Sequence, residues 1–338
     1  MKRETDLIEQ IADPDNLRLA FWKARKAKDG KTEVSTYRKF LDKNLIELRQ
    51  EILAGQISPI VYKYFKIYDP KERLICCAPF KQRVLHNAIM NICHNNFEKY
   101  QIYDSYASRI GKGTYSAIDR AKTFQKKFKL YLKLDVRKYF DSIDHNVLKQ
   151  MLNSRFKDKK LLEIFNQIID SYESETGKGL PIGNLTSQYF ANHYLGLADH
   201  YIKEKLQVAV YVRYMDDMVI WSDTKDDLLR TGRAFKNFVE QRLLLILKPF
   251  CLNYCEKGLP FLGYSIFPEK ILLNPNSKKR YKNKLKEYIA KLEKELWTET
   301  EYQQHILPLI AFTKHSDAKA FRSKCMELIK NRVIAEGV

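Results

Sequence analysis

The sequence predicts an α+β fold in which an antiparallel, ferredoxin-like sheet is flanked by separate helical layers. The order of elements in the middle of the chain carries this prediction: a short apolar strand at 130–136, helices, a β-rich hairpin at 208–222, a helix and a further strand. This order matches a split β-α-β unit better than a parallel doubly wound sheet. The 338 residues suffice for two or three packed subdomains, and the flanking helices need packing layers of their own.

The N-terminal residues 1–58 predict two helices. Asp15 or Asn16 is placed to cap a helix through LRLAFWKARKAK, which Gly30 would end. A second helix is predicted at about 35–53, because a glycine follows it as a stop signal.

Extended and helical segments alternate after this point. Residues 60–80 are predicted to be extended with a break at Asp69–Pro70, and residues 81–99 carry a helical apolar pattern. The glycine-punctuated stretch SYASRIGKGTYSAIDRA predicts a loop that enters a helix. Residues 144–172 are again predicted to be helical.

Helices and one more hairpin are predicted in the C-terminal half. The helices lie in LTSQYFANHYLGLADHYIKEKL and at 225–246, and GLPFLGYSI at 258–266 predicts the hairpin. From Lys278 onward the pattern is helical and basic, since residues 278–294 carry eight Lys or Arg against two Glu.

Charge and aromatic content favour a nucleic-acid partner. The 60 Lys and Arg residues against 41 Asp and Glu give a formal net charge of +19, with 21 Tyr and 18 Phe. Cations follow phosphates and rings stack on bases, so this combination is typical of a nucleic-acid groove. A membrane-surface role ranks lower, because no basic amphipathic helix adjoins an apolar anchor and no apolar run is long enough to span a bilayer.

Three carboxylates predict a metal site. Asp135 ends the apolar strand LYLKLD, and Asp216 and Asp217 lie in a turn between the apolar runs 211–214 and 218–221. Carboxylates gathered in one place repel each other unless cations neutralise them, and hard oxygen ligands select Mg²⁺ or Mn²⁺. Two such ions about 3.5–4 Å apart serve nucleotidyl transfer. An Asp-Asp pair in a hairpin is more often ordinary turn chemistry, but an exposed turn is not expected between such apolar runs.

The motifs around these carboxylates resemble those of a known family, the reverse transcriptases. YMDD between two strands resembles their motif C, and LKLDVRKYFDSIDH resembles motif A. RLICCAPFKQRVLHNAI and SYASRIGKGTYSAI are similar to the two fingers motifs, and GLPIGNLTSQYFAN to motif B. LKPFCLNYCEKGLPFLGY resembles the motifs that close the palm and grip the primer. The resemblance runs from about Asn16 to Tyr264 with the motifs in family order.

The resemblance implies an RNA-directed DNA polymerase with a right-hand fold. Its fingers with an N-terminal extension are expected at 1–128, its ferredoxin-like palm at 129–270 with a helical insertion at about 146–180, and its basic helical thumb at 271–338. Asp135 and Asp216 would hold two Mg²⁺, for which Mn²⁺ can substitute. Asp217 would be a weaker ligand.

The resemblance also implies further ligand-binding residues. The carbonyl of Val136 would complete a metal shell, and Phe140 would be the steric gate that selects dNTPs, unless it is a core residue. The expected dNTP-binding residues are Arg73, Lys66 (or Lys71, either of which can be a solvated loop charge), Phe140, Ile182, Gly183, Gln188 and Lys248. The expected template and primer contacts are Arg109, Gly111, Gly113, Tyr214, Met215, Leu262 and Gly263.

Motif B narrows the resemblance to a subgroup. Many reverse transcriptases have Gln before the motif glycine, where this chain has Ile182, and IGNLTSQ resembles reverse transcriptases of diversity-generating retroelements. That resemblance implies copying of a template-repeat RNA with errors opposite adenine, alongside a small basic accessory variability protein. A group II intron or retron enzyme and a phage-defence polymerase-like protein are the alternatives. MKRETDLIEQ has no apolar signal region, so a cytoplasmic protein, bacterial, archaeal or phage-encoded, is expected.

Overall fold

The computed structural model describes residues 6–68 and 72–335 of the chain. The break predicted at Asp69–Pro70 and the candidate Lys71 lie outside these residues. The helices are α1 Leu7–Ile11, α2 Pro14–Arg25, α3 Thr32–Lys39, α4 Leu41–Ala54, α5 Phe80–Glu98, α6 Thr114–Lys127, α7 Tyr139–Ser142, α8 His145–Arg155, α9 Lys159–Asp170, α10 Leu185–His200, α11 Lys225–Arg242, α12 Pro275–Glu293, α13 Glu299–Lys314 and α14 Lys319–Ala335. The strands are β1 Lys63–Ile67, β2 Arg73–Cys77, β3 Leu130–Asp135, β4 Tyr211–Tyr214, β5 Asp217–Ser222, β6 Cys251–Tyr254, β7 Leu259–Phe261, β8 Tyr264–Ile266 and β9 Ile271–Leu273.

The chain divides into two compact units. The first comprises residues 1–109, 135–208 and 233–249, and the second comprises residues 110–134, 209–232 and 250–338. The first unit is mainly helical and contains the β1–β2 hairpin. Its core includes a cluster of buried phenylalanines in which neighbouring rings lie 5.2–5.3 Å apart: Phe97, Phe156, Phe165 and Phe190.

The second unit contains a four-stranded sheet of order β4-β5-β3-β6, apart from Asp135, the last residue of β3. β4 pairs antiparallel with β5, and β3 pairs antiparallel with β6. Of the four strands in this sheet, β3 comes first in the chain and lies between the third, β5, and the fourth, β6, which agrees with the predicted ferredoxin-like arrangement. The α+β class is confirmed. A separate antiparallel sheet, β7-β8-β9, belongs to the same unit.

Several predicted boundaries are wrong for identifiable reasons. The first long helix begins at Pro14 and is capped by Asp13, whose carboxylate accepts from the amides of Asp15 and Asn16 at 2.9 and 3.2 Å. Proline suits the first helical position because it lacks an amide hydrogen that would be unpaired there anyway. This helix ends at Arg25, before Gly30.

Two stretches predicted to be helical each contain two helices. The helix predicted at 35–53 is interrupted at Phe40, whose φ of −117° is not helical. The stretch predicted at 144–172 is divided because Asp158 caps a new helix, α9, by accepting from the amide of Leu161 at 3.2 Å.

The strand that completes the four-stranded sheet was not predicted at its observed place. That strand is β6, in the segment LKPFCLNY, whereas the predicted hairpin at 258–266 forms β7 and β8 of the other sheet. β6 lies at the sheet edge and its residues are exposed or only partly buried, so it lacks the apolar alternation from which strands are recognised.

His86 gives the first unit a pH-dependent stability. It is buried in α5, and burial lowers the pKa of its imidazole from 6.5 to about 4. Neither ring nitrogen has a hydrogen-bond partner within residues 6–68 and 72–335. The folded state binds this proton less readily than the unfolded state, so His86 weakens the fold as pH falls from 6.5 towards 4.

Replacing His86 by Leu is expected to flatten the stability profile in this acidic range. Each pKa unit corresponds to about 1.4 kcal/mol, so the wild type should lose about 3 kcal/mol through this group between the two pKa values. Urea unfolding at several pH values measures the effect, with His305→Leu as the exposed control. An equally steep profile in His86→Leu and wild type would contradict the assignment.

Candidate active site

The β4–β5 hairpin of the second unit presents the acidic pair. Tyr214 pairs with Asp217 across the ladder, so Met215 and Asp216 form a two-residue turn, with Met215 at a φ of 53°. Met218 and Val219 after the turn are fully buried. A buried pair of strands therefore holds Asp216 at its tip, as the sequence predicts, whereas Asp217, also predicted in the turn, is the first residue of β5.

Arg213 is a site residue that the sequence analysis missed. Its side chain in β4 is fully buried, and its guanidinium donates to the carbonyl of Met215 at 3.2 Å. A buried arginine binding the backbone of the turn favours one conformation of that turn. The available signal was a charged residue within the apolar run YVRY.

Lys133 contacts the second aspartate of the hairpin. Its ammonium nitrogen is 2.9 Å from Oδ1 and 3.2 Å from Oδ2 of Asp217, and it also donates to the carbonyl of Pro260 at 2.9 Å. β3 and β5 are neighbouring strands of the sheet, so the contact with Asp217 fits their adjacency. No motif in the sequence marked this lysine as a site residue.

Two hydrogen bonds connect Asp135 and Lys248 in the first unit. The carbonyl of Asp135 accepts from the amide of Lys248 at 2.8 Å, and Oδ2 accepts from its ammonium at 2.7 Å. Val136 and Leu247 form a bridge beside them, and Arg137 donates its amide to the carbonyl of Ile246. These contacts fix the backbone that follows β3 and place Lys248 at the predicted catalytic carboxylate.

The donor atoms at these positions have the chemistry of a magnesium site. Carboxylate oxygens of Asp135, Asp216 and Asp217 and a backbone carbonyl are hard ligands of the kind that Mg²⁺ and Mn²⁺ prefer. Two of the carboxylates already attract a cation, since each binds a lysine ammonium. Within the described residues, no three His, Cys, Asp or Glu side chains meet in a geometry that would hold a metal ion.

A cavity of about 820 Å³ in the first unit brings predicted dNTP-binding residues together. Arg73 and Ile182 line it, along with three cationic residues that the sequence analysis did not assign: Arg137, Lys138 and Lys178. Cationic side chains of this kind can bind a polyphosphate. The signal for Arg137 and Lys138 was their position directly after Asp135 and Val136.

Acidic side chains also line this cavity. Burial raises the pKa of the Asp141 carboxyl, nearby Lys138 lowers it and Glu175 raises it again. The lining is therefore mixed in charge.

The segment predicted as motif B is attached to the β1–β2 hairpin. The carbonyl of Ile182 accepts from the amide of Cys76 in β2 at 2.8 Å. Gly183 has a φ of 116°, and a Cβ there would lie 2.9 Å from Cγ2 of Ile75, so only glycine fits. Gln188 is exposed and accepts from the hydroxyl of Ser108 at 3.2 Å.

Phe140 is half-buried beside the same loop. Its carbonyl accepts from the amide of Leu180 at 2.8 Å, and its ring lies 5.7 Å from that of Tyr139. Lys66, another predicted dNTP-binding residue, forms an exposed ion pair with Glu72 at 2.7 Å.

Arg109, the predicted template contact, is bound within the chain. Its guanidinium donates to Glu98 at 2.6 and 2.8 Å and to the carbonyls of Ile102 and Ser105, and its side chain is 8% exposed. These bonds hold the loop together and leave little of the group accessible. Gly111 and Gly113 have φ values of 72° and 121°, but a Cβ on either would meet nothing within 4 Å. These glycines are therefore explained by the positive φ values of the loop, and nothing else in the described part of the chain packs against them closely enough to require glycine.

The predicted primer contacts of the second unit lie on its two hairpins. The hydroxyl of Tyr214 accepts from Thr114 at 3.1 Å. Leu262 and Gly263 form the β7–β8 turn, with φ values of 49° and 91°. A Cβ on Gly263 would lie 3.0 Å from Cζ of Phe312 and 3.1 Å from Oγ of Ser277, so the turn packs closely on the helical segment that follows.

Comparison with known proteins defines the family. Residues 68–266 match the family model described as reverse transcriptase (RNA-dependent DNA polymerase). The chain therefore belongs to the reverse transcriptase family. This membership confirms the predicted right-hand polymerase fold class.

One curated relative is the putative COX1/OXI3 intron 2 protein of Saccharomyces cerevisiae, 25% identical over 154 residues. The match covers 43% of this chain, and the chain spans 17% of that protein's length. Among solved structures, telomerases of Candida albicans and Candida tropicalis, each in complex with a TWJ fragment of telomeric RNA, are similar at 12% and 13% identity with TM-scores of 0.49 and 0.48. They match 68% and 87% of this chain and 51% and 59% of their own chains. None of the helices described for this chain is both long and apolar enough to cross a bilayer.

Proposed function

We propose that this protein copies an RNA template into cDNA by divalent-metal-dependent nucleotidyl transfer. The observation that carries the proposal is the acidic turn at Asp216 in a strand pair whose β5 neighbours β3, the strand that ends in Asp135. Asp135, Asp216 and the carbonyl of Val136 would hold two Mg²⁺, with Asp217 as a weaker ligand. Bound there, the metals would lower the pKa of the primer hydroxyl and stabilise the departing pyrophosphate.

The remaining residues bind and orient the reactants. Arg73, with Arg137 and Lys138 in the same cavity, binds the triphosphate. Phe140 excludes a 2′-hydroxyl, and Lys248, bonded to Asp135 at 2.7 Å, supplies a proton to pyrophosphate. Template and primer contacts come from Gly111, Gly113, Tyr214, Met215, Leu262 and Gly263.

The division into fingers (1–128), palm (129–270) and thumb (271–338) remains part of the proposal. In it, the basic helix α12 holds the template–cDNA duplex through phosphates, so binding should weaken steeply as salt rises.

Primer extension on RNA tests the activity. The protein is incubated with a primed RNA of mixed sequence, dNTPs and Mg²⁺, and the products are sequenced. Complementary cDNA supports the proposal, whereas untemplated tails would indicate a defence-type polymerase. No product with intact RNA binding would indicate a binding protein.

The finer proposal is a reverse transcriptase of a diversity-generating retroelement, which copies a template-repeat RNA with an accessory variability protein. It is supported by Ile182 in IGNLTSQ and by the place of Ile182 in the cavity that Arg73 lines. A group II intron-type enzyme is the second candidate, favoured by the 25% identity with the yeast intron protein. A genomic template repeat with adenine-biased differences from a neighbouring gene would decide for the first.

Replacing Ile182 by Gln is expected to lower misincorporation opposite adenine. A glutamine can hydrogen-bond near the incoming nucleotide, whereas an aliphatic side chain leaves the nascent pair less constrained. Sequencing of cDNA from a defined template measures the change, for which we expect about ten-fold from one added hydrogen bond. Ile60→Gln, outside the cavity lining, is the control. Unchanged errors at adenine in Ile182→Gln would remove the fidelity role.

A further inference from the structure

Lys133 stands where two functional segments of the second unit meet. Residues alternate between the faces of a strand, so Tyr131 and Lys133 of β3 point to the same side. The hydroxyl of Tyr131 donates to the carbonyl of Gly258 at 3.1 Å, and the ammonium of Lys133 donates to the carbonyl of Pro260 at 2.9 Å. Tyr131 and Lys133 thus bind the carbonyls of Gly258 and Pro260, which are also two residues apart. The segment that enters and forms β7 therefore packs along this face of β3.

The same ammonium binds the acidic turn. It lies 2.9 and 3.2 Å from the two carboxylate oxygens of Asp217. The side chains of Lys133 and Asp217 are 20% and 25% exposed, so water screens their attraction less than in an ordinary surface pair. The lysine therefore bridges the first residue of β5 and the β7–β8 hairpin, which carries the proposed primer contacts Leu262 and Gly263.

We infer that Lys133 is a positioning residue that holds the carboxylate of Asp217 and couples the catalytic turn to the primer-binding hairpin. This inference rests on the proposed polymerase function. It gives the two aspartates of the turn different tasks. Asp217, the weaker metal ligand, is oriented by an ammonium and anchors the turn, whereas Asp216 at the tip is the main metal ligand of the turn. A fixed geometry between turn and hairpin aligns a primer end with the reacting phosphate.

The test compares Lys133→Met with Lys133→Arg. Methionine keeps much of the length but no charge, and arginine keeps the charge and the donors. Lys126→Met is the matched control, because Lys126 forms an exposed ion pair with Glu269 in the same unit at 3.4 Å. We expect Lys133→Met to lower kcat by roughly ten- to a hundred-fold, the loss typical of one charge-assisted contact. The KM for dNTP should stay near the wild-type value, Lys133→Arg should recover most of kcat, and Lys126→Met should match wild type.

Coupling to Asp217 has its own measurement. If the lysine acts through this carboxylate, Lys133→Met combined with Asp217→Asn should be no slower than the slower single variant. The inference would be overturned if the rate losses of Lys133→Met and Asp217→Asn multiplied in the double variant. It would also be overturned if Lys133→Met lowered kcat no more than Lys126→Met does.

Hydrogen exchange tests the bridge without relying on activity. Lys133→Met should speed exchange in peptides covering both 211–222 and 258–266, while Lys126→Met leaves both unchanged. Protection unchanged in either segment would overturn the coupling. A wild type that makes no cDNA would refute the polymerase proposal, but the exchange result would still decide whether Lys133 joins the two segments.

Discussion

Replacing Asp216 by Asn is expected to abolish cDNA synthesis while RNA binding survives. The amide has nearly the shape of the carboxylate, so the two-residue turn should keep its conformation, but the negative charge that attracts a divalent cation is lost. Metal stabilisation of the reacting phosphate amounts to several kcal/mol, which corresponds to at least about a thousand-fold in rate. Single-nucleotide extension on a primed RNA measures this loss.

The control for this experiment separates chemistry from folding. Asp226→Asn removes an exposed carboxylate from the first turn of α11 in the same unit and should leave extension near the wild-type rate. RNA affinity and the unfolding temperature of Asp216→Asn should also match wild type. Loss of RNA binding together with synthesis would point to misfolding, and retained synthesis would show that Asp216 holds no catalytic metal.

The second large effect is expected at Phe140. Phe140 is half-buried and lies five residues after Asp135, whose carbonyl accepts from the amide of Lys248. The carbonyl of Phe140 accepts from the amide of Leu180, and this bond does not depend on the side chain. Phe140→Ala should therefore keep the loop in place while opening space for a 2′-hydroxyl. Because the ring selects by a clash, its removal should raise relative use of ribonucleotides by roughly ten- to a hundred-fold.

Competing incorporation of dNTP and rNTP on the same primed RNA measures this selectivity. Phe40→Ala, a truncation of an exposed phenylalanine in the same unit, is the control and should leave the ratio unchanged. If Phe140→Ala only slows synthesis and keeps the wild-type ratio, Phe140 is a packing residue and the gate lies elsewhere.

Elements with a strong local pattern could be predicted from the sequence. β3, β4 and β5 are apolar runs bounded by turn residues, and the structure places them where the pattern indicates. β6 was missed because an edge strand with partly buried residues has no such pattern. The break at Phe40 was missed as well, because the apolar periodicity continues through it.

The candidate site was predictable where one motif carries the chemistry, as with the acidic turn. Residues that act through distant partners were not. Lys133 binds Asp217 and Pro260, which are 84 and 127 residues away in the chain. Arg109 shows the same limit: its position in a glycine loop predicts a template contact, but does not reveal that Glu98 on α5 and two nearby carbonyls bind its guanidinium.

The central claim is that Asp135 and Asp216 share a divalent-metal site, and manganese binding tests it most directly. Mn²⁺ substitutes for Mg²⁺ at hard oxygen sites and is visible by electron paramagnetic resonance. Titration of the full chain with primer, RNA template and dNTP should show bound Mn²⁺ in wild type. Asp135→Asn and Asp216→Asn should each weaken the same binding strongly. Binding that survives in either variant at wild-type strength would contradict a shared site and, with it, the proposed mechanism.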